Sequence, residues 1–412
     1  MVKSSVKLKI FISAYACEPN LGSEIGVGWH WVLEMSKYFD LWVLTRQSNK
    51  ENIENWLKVN PIEYNMNFVY YDLPKKLRFW KKGLRGVRTY YVLWQRLTNK
   101  IVKHTMEEND IEVYHLLTYG NVLWPVSRYG QKKTFIWGPT ATSNFIPKEF
   151  TKFYGFKNRL KEFLQHVMSK TLKYNSGYIG RCEDVNLMLC KTESTRENIA
   201  EKYINKSVVF TDVAVEPIDI SNYQKKESNG LIKYLAVGRL ESWRGFDLMI
   251  EAFASAIKQN PNLHLDILGK GNDKDRLALL IEKLGMKDFI TLIGHVSKEE
   301  YYQFMANCDV VVNPTLKEGA VTVAFDSMSF AKPLICLNTG GYTRYFTNEY
   351  AVVLSMSDRE ELIDKLSSAI VKLTDKDLRK TMAERIIQVR DKFTWEEKGK
   401  QIRDVILKSL NP

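Results

Sequence analysis

The chain has 412 residues, of which 45% are hydrophobic and 26% charged, and it carries a formal charge of +12. That length exceeds what one hydrophobic core organises, so two domains are expected, and the unbiased globular composition excludes a disordered or fibrous chain. The positive excess points to anionic partners such as nucleotides, phospholipid headgroups or nucleic acid. Five scattered cysteines, Cys17, Cys182, Cys190, Cys308 and Cys336, lack metal-ligand spacing and read as reduced thiols in a cytosolic protein. No apolar run approaches the roughly 18–20 residues that span a bilayer. The apolar stretch near the N-terminus is too short for a signal peptide and is closely followed by Glu18, so the chain is expected to stay inside the cell.

In chain order, "LKIFISAY" reads as a strand, followed by the glycine loop "CEPNLGSEIGVGW" and a helix reaching Tyr38. "LWVLTR", a helix near 49–58, and "NFVYYDL" follow. A basic segment spans 75–107, then strands come at "IEVYHLL" and "TFIWGP". "VNLMLCKT", a helix from about Thr195 and "SVVFTDVAV" close the first half. The polar, turn-rich stretch 216–230 marks a boundary. Alternation then restarts with strands at "KYLAVG", "HLDILG", "FITLIG", "DVVVNP" and "PLICLN", separated by helices. One of these helices shows an apolar face at Ile250, Phe253, Ala254 and Ile257. Apolar strands alternating with helices predict parallel sheets covered on both faces. The fold class is therefore α/β, with two Rossmann-like parallel-sheet domains. Residues 1–215 form the first domain and 216–392 the second, and an amphipathic helix over about 393–412 is free to pack back on either.

The stretch "EGAVTVAFDSMSFAKPLICLNTGG" (318–341) follows the strand "DVVVNP". In open parallel sheets, ligands bind at the carboxyl edge of the strands. Gly319 permits close backbone approach, and the N–H groups of Ala320, Val321 and Thr322 at a helix start favour a phosphate. Glu318, beside that anion site, suits hydroxyl groups of a sugar. Asp326, about 12 Å further along the helix rise, suits those of a ribose. The same residues would also fit a capped helix with two solvated carboxylates. Arg239 and Arg244, just after "KYLAVG", lie at the same edge, where guanidinium groups neutralise a diphosphate. Two surface arginines of a basic protein are the alternative for them.

With these motifs the sequence resembles the bacterial retaining glycosyltransferases of family 4, which have the GT-B fold with the two domains facing across a cleft. The resemblance covers nearly the whole chain. Gly238, Arg239, Leu240, Arg244 and Gly245 match the family's glycine–arginine–leucine and basic–glycine pattern, with Arg244 where the family has lysine. The family's paired glutamates, with seven residues between them, appear as Glu318 and Asp326, the second shortened to aspartate. "LGKGNDKDRL" resembles the family's glycine loop, and "FITLIGHV" the segment whose backbone meets the base near Val296. "AYACEPNLGSEIGVGWHW" resembles a subgroup's first glycine loop. Gly22 there is assigned to the donor, and Ser23, Glu24 and Gly26 to the acceptor side. A histidine at the position of His115 contacts the transferred sugar in the family, whereas a satisfied strand-end histidine is the structural alternative.

The resemblance implies transfer of a sugar from a nucleotide-diphosphate donor to a hydroxyl acceptor with retained configuration, a hexosyltransferase-like activity without metal or other cofactor. Glu318, His115, Arg239 and Arg244 would act in catalysis, the arginines stabilising the leaving diphosphate. The acceptor would be saccharide or lipid-linked, in surface polysaccharide or glycolipid assembly. A sugar-nucleotide epimerase, a phosphorylase or a non-catalytic sugar-nucleotide-binding partner on the same fold remain alternatives. No nucleic-acid motif appears, so nucleic acid is not expected as a partner. Finally, the segment 75–96 mixes Lys81, Lys82, Arg85 and Arg88 with Phe79, Trp80, Tyr90, Tyr91 and Trp94. It is read as a peripheral dock on the anionic inner face of the cell membrane. A solvated basic face with its aromatics in the core is the alternative.

Overall fold

Each half of the chain is built on a sheet whose strands are all parallel, and the apolar residues on both faces of each sheet are covered by helices. The computed structural model describes residues 7–63, 65–81, 86–124, 133–142, 146–152, 154–223, 230–317 and 322–410. In chain order the first part comprises β1 (Lys9–Ser13), α1 (Ser23–Ser36), β2 (Asp40–Arg46), α2 (Lys50–Val59), β3 (Met66–Tyr71), α3 (Val87–Glu108), β4 (Val113–Leu116) and β5 (Thr134–Thr140). Next come α4 (Lys148–Thr151), α5 (Phe156–Lys170), α6 (Ser176–Asp184), β6 (Leu187–Cys190), α7 (Glu193–Glu197) and β7 (Ser207–Val209). The second part runs β8 (Ile232–Val237), α8 (Phe246–Ile257), β9 (Leu263–Leu268), α9 (Lys274–Lys283), β10 (Ile290–Gly294), α10 (Lys298–Asn307) and β11 (Val310–Asn313). It ends with α11 (Thr322–Ser329), β12 (Leu334–Leu337), β13 (Ala351–Leu354), α12 (Arg359–Lys372), α13 (Lys376–Val389) and α14 (Trp395–Leu410).

The strand orders are β3-β2-β1-β4-β5-β6-β7 and β10-β9-β8-β11-β12-β13. In each sheet the order reverses next to the first strand, between β1 and β4 and between β8 and β11. Loops at such a reversal leave the carboxyl edge in opposite directions and open a crevice. β13 was not expected. Its four residues, Ala-Val-Val-Leu, are too short to carry a periodic signal. The expected strand over "SVVFTDVAV" ends at Val209, and the helix near Thr195 is only five residues long.

The chain divides into two units, 1–143 with 169–212 and 395–412, and 144–168 with 213–394. Residues 144–168 therefore depart from the expected assignment to the first domain. The reason is packing: Ile146, Phe150 and Tyr154 join Tyr234, Phe246, Phe253 and Leu265 in the second unit's core. In that unit α8 and α12 lie against one another, tied by Arg359 in a bidentate pair with Glu251 at 2.6 and 2.8 Å. In the first unit α14 packs on α1. Trp395 stacks on His30 at 4.9 Å, Ile402 and Ile406 are buried, and Lys398 donates to the Thr211 carbonyl at 2.8 Å.

Two of the "GSEIGVG" glycines, Gly26 and Gly28, have a packing reason, whereas a Cβ on Gly22 would meet open space. α1 crosses the reversal of the first sheet so closely that a Cβ on Gly28 would stand 2.0 Å from Ala16 O and 2.9 Å from Thr118 Cγ2. Ala16 N in turn donates to Thr118 Oγ1 at 3.0 Å, locking the loops after β1 and β4 together. Because the obstructing atom is backbone, Gly28→Ala is expected to destabilise the protein by about 1–3 kcal/mol, the cost of overpacking. Urea unfolding followed by circular dichroism checks this, and an unchanged midpoint would contradict the close approach.

Candidate functional site

The second unit gathers basic side chains at its strand reversal. After β8 the chain runs through Gly238 and Arg239 into a short 3-10 turn, Ser242–Arg244, and then α8. Gly245 closes that turn at φ +67, and a Cβ there would lie 2.2 Å from Pro314 O, so glycine alone lets this loop pass against the one after β11. Arg244 lies across Gly238 and donates through Nη1 to Thr315 Oγ1 at 3.4 Å, bridging the two loops. Thr315 in turn donates to Asn313 Oδ1 at 2.7 Å.

Trp243 is the centre of the cluster. The Arg244 guanidinium sits 4.3 Å from its ring centroid, Arg239 5.9 Å, and the Lys317 ammonium 5.9 Å. An indole face supports a cation electrostatically without neutralising it. Lys317 also pairs with Glu162 at 2.5 Å and reaches Gln165 at 3.3 Å, both from α5. Tyr154 donates to the Ser242 carbonyl at 3.0 Å. The 144–168 segment thus braces both loops from outside. Sequence reading missed Lys317, Trp243 and Thr315. Lys317 directly precedes Glu318 in "TLKEG", so its place beside the expected phosphate loop was available as a signal.

Arg239 and Arg244 are brought together as expected, with Arg239 exposed and Arg244 half-buried. Val296 is half-buried two residues past β10, and Thr322 opens α11. Glu318, Gly319, Ala320 and Val321 lie outside the described residues. Asp326 is 4% exposed and accepts a hydrogen bond from Tyr301 at Oδ2, 2.7 Å, so a ribose contact would have to use its other oxygen.

In the first unit, Gly22 caps α1 in extended conformation, Ser23 is exposed at φ 59, and Gly26 is buried within α1. Glu24 accepts from Tyr119 N at 2.7 Å, so its carboxylate positions the loop after β4. His115 corrects the expectation. It is fully buried in β4, between Ile12 of β1 and Ile136 of β5 in register, with its ring against Trp31. Nε2 lies 2.7 Å from Gly138 O and donates to it, and Nδ1 has no hydrogen-bond partner among the described residues. Burial pushes the imidazole down to about 4, against the opposing pull of the Gly138 carbonyl. A neutral ring without accessible surface meets no sugar, so His115 is a core residue here.

In the segment 75–96, expected as a membrane dock, part of the aromatic set turns inward. Tyr90, Tyr91 and Trp94 are buried in the first unit's core. Lys81 sits over the Tyr90 ring at 5.2 Å and Arg88 over Trp124 at 5.6 Å. Lys82 and Arg85 lie outside the described residues. Three of the five aromatics are thus spent on internal packing, whereas Phe79 is 79% exposed and Trp80 half-buried, and Arg78 pairs with Asp72 at 3.6 Å.

Residues 219–389 match the family model "Glycosyl transferases group 1". The gpi3 subunit of phosphatidylinositol N-acetylglucosaminyltransferase from Schizosaccharomyces pombe is 24% identical over 250 residues, covering 60% of this chain and 53% of that protein. The GtfA subunit of the UDP-N-acetylglucosamine–peptide N-acetylglucosaminyltransferase from Streptococcus gordonii is 24% identical over 237 residues, covering 54% of this chain and 46% of that one. The chain thus spans about half the length of these relatives. The crystal structure of a glycosyltransferase from Rickettsia africae covers 98% of this chain and 99% of its own, at 14% identity and a TM-score of 0.62. The fold is that of the GT-B glycosyltransferases, as expected.

Burial raises the Asp326 carboxyl from its ordinary 3.8 to about 7, with the Tyr301 hydrogen bond opposing. A carboxyl whose folded pKa lies above its unfolded value holds a proton that the unfolded chain has released. Stability contributed by Asp326 therefore falls as pH rises from about 4 to about 7 and is level above that. Asn at this position keeps an acceptor for Tyr301 and removes the titration. Urea unfolding of wild type and Asp326→Asn between pH 5 and 8 is expected to show wild type losing up to about 2.5 kcal/mol relative to the variant, mostly below pH 7. Parallel pH profiles would contradict the raised carboxyl.

Proposed function

We propose that the chain transfers a glycosyl group from a nucleoside diphosphate sugar to a hydroxyl acceptor, with retention of anomeric configuration. The observation that carries this reading is the cluster of Arg239, Arg244 and Lys317 around Trp243 at the strand reversal of the second unit. A diphosphate is the ligand whose charge such a cluster matches, and the group 1 match lies on the same unit. The S. gordonii relative is named for UDP-N-acetylglucosamine, which supports a UDP-sugar donor, and the S. pombe relative for phosphatidylinositol, which supports a lipid-linked acceptor. Glycolipid or surface polysaccharide assembly is the corresponding setting.

As the glycosidic bond breaks, charge develops on the departing diphosphate. Arg239 and Arg244 stabilise it electrostatically. Thr315 and Trp243 hold Arg244 in place beforehand, so little reorganisation is needed during the reaction. Lys317 adds charge tempered by Glu162. Glu318, directly after Lys317 in sequence, is assigned to the sugar hydroxyls, and Asp326, through its second oxygen, to the ribose. The reaction as proposed uses no metal.

The purified chain is expected to release UDP from a UDP-sugar in an acceptor-dependent manner, with NMR of the product reporting the retained anomer. Arg239→Ala and Arg244→Ala are each expected to cut transfer by about 10²-fold or more, the scale for losing one transition-state donor. Melting temperatures distinguish this loss from unfolding. Near-normal rates in both variants would remove the diphosphate clamp.

A further inference from the structure

Helix α5 is turned inside out. Its sequence, FKNRLKEFLQHVMSK, carries an apolar stripe at Phe156, Leu160, Phe163 and Leu164, the spacing of one helix face. In a helix covering its own domain that stripe would face the core. Here the opposite face does. Asn158 bonds Ser242, Glu162 and Gln165 bond Lys317, and Glu162 is buried. The stripe faces solvent, with Phe156 72% and Phe163 62% exposed and Leu160 and Leu164 about half exposed at 46% and 51%. Exposed Arg159 and Lys161 lie on either side of it, Lys170 ends the helix, and the one acid of α5 is the inward Glu162.

We propose that α5 is a membrane-docking helix that lies in the headgroup layer of an anionic bilayer. An apolar stripe bordered by cations and free of exposed acids is the pattern of an interfacial amphipathic helix. The basic border selects the occupant, because an anionic leaflet supplies both the apolar depth and the negative charge that this face lacks. A spanning role does not fit: no helix among the described residues is long and apolar enough to cross a membrane. The proposal stands apart from the sugar-transfer reading, since it needs neither donor nor acceptor.

The test is co-sedimentation of the full chain with vesicles of phosphatidylglycerol and phosphatidylcholine, against vesicles of phosphatidylcholine alone. Wild type is expected to pellet with the anionic vesicles and to be released about tenfold by molar salt, where screening shortens the reach of the basic border. The triple variant Leu160→Gln/Phe163→Gln/Leu164→Gln changes only solvent-facing side chains, so its melting temperature should hold while its vesicle affinity falls at least about tenfold. Arg159→Gln/Lys161→Gln should weaken binding and flatten its salt dependence, whereas Lys81→Gln/Arg88→Gln should leave binding unchanged. Wild type staying in the supernatant at low salt would overturn the proposal. So would a triple variant that binds like wild type, or loss of binding on changing Lys81 and Arg88 alone. A concentration-dependent dimer in sedimentation equilibrium that the triple variant abolishes would also overturn it, because the stripe would then belong to a second copy of the chain.

Discussion

Two neighbouring parallel strands, β8 and β11, send their loops in opposite directions, and what holds those loops at fixed separation decides what the second unit can bind. The sheet ladder stops at the strand ends, so the crevice beyond them must be held by side chains. Three braces do this. Arg244 reaches from one loop to Thr315 on the other, Tyr154 fixes the Ser242 carbonyl, and Glu162 fixes Lys317. The first is a charge-assisted bond made by a group proposed to bind ligand. The other two come from a segment that precedes the unit's sheet in sequence by some seventy residues. The basic cluster is preorganised because it is braced from outside, and preorganised charge is what electrostatic catalysis requires.

The two sheets use the same reversal for different chemistry. In the first unit the loops after β1 and β4 are joined by Ala16 with Thr118 and by Glu24 with Tyr119. Behind these loops lies a buried aromatic cluster: Tyr15 meets Tyr91, Trp94 and Tyr119 edge-on at about 5 Å, and Arg46 lies over the Tyr15 ring at 5.0 Å. In the second unit one indole is surrounded by cations. At equivalent points of one topology, the first unit thus packs an aromatic core and the second gathers cations of the charge that suits a diphosphate.

The alternation of strand and helix was legible because burial on both faces forces near-continuous apolar runs such as "DVVVNP" and "PLICLN". Arg239 and Arg244 were legible because strand-end position alone puts them at the ligand edge. His115 was not: a histidine near a strand end reads the same whether its ring points to a ligand or lies between Trp31 and the sheet. The 75–96 segment was only partly legible for a related reason. Composition placed cations and aromatics together, and packing put Tyr90, Tyr91 and Trp94 in the core with Lys81 over one of their rings. Lys317 went unread because its role depends on Glu162, 155 residues away in sequence.

The orientation of α5 follows from the same ion pair. Periodicity reports that a helix has an apolar face and says nothing about which way that face points. Turning the stripe of α5 inward would remove hydrocarbon from water, a gain of about 25 cal/mol per Å² of surface covered. It would also carry Glu162 out to solvent and leave Lys317 half-buried without its carboxylate, and breaking such a pair on one side costs about 3–5 kcal/mol. Asn158 and Gln165 would lose their bonds as well, while Phe150 and Tyr154, just upstream, already fill the core beneath. The chain therefore keeps its polar contacts with the loops after β8 and β11 and leaves the stripe outside. An outward stripe is tolerable in water only if it is short, bordered by charge and covered by something else, and the basic border of α5 specifies an anionic cover.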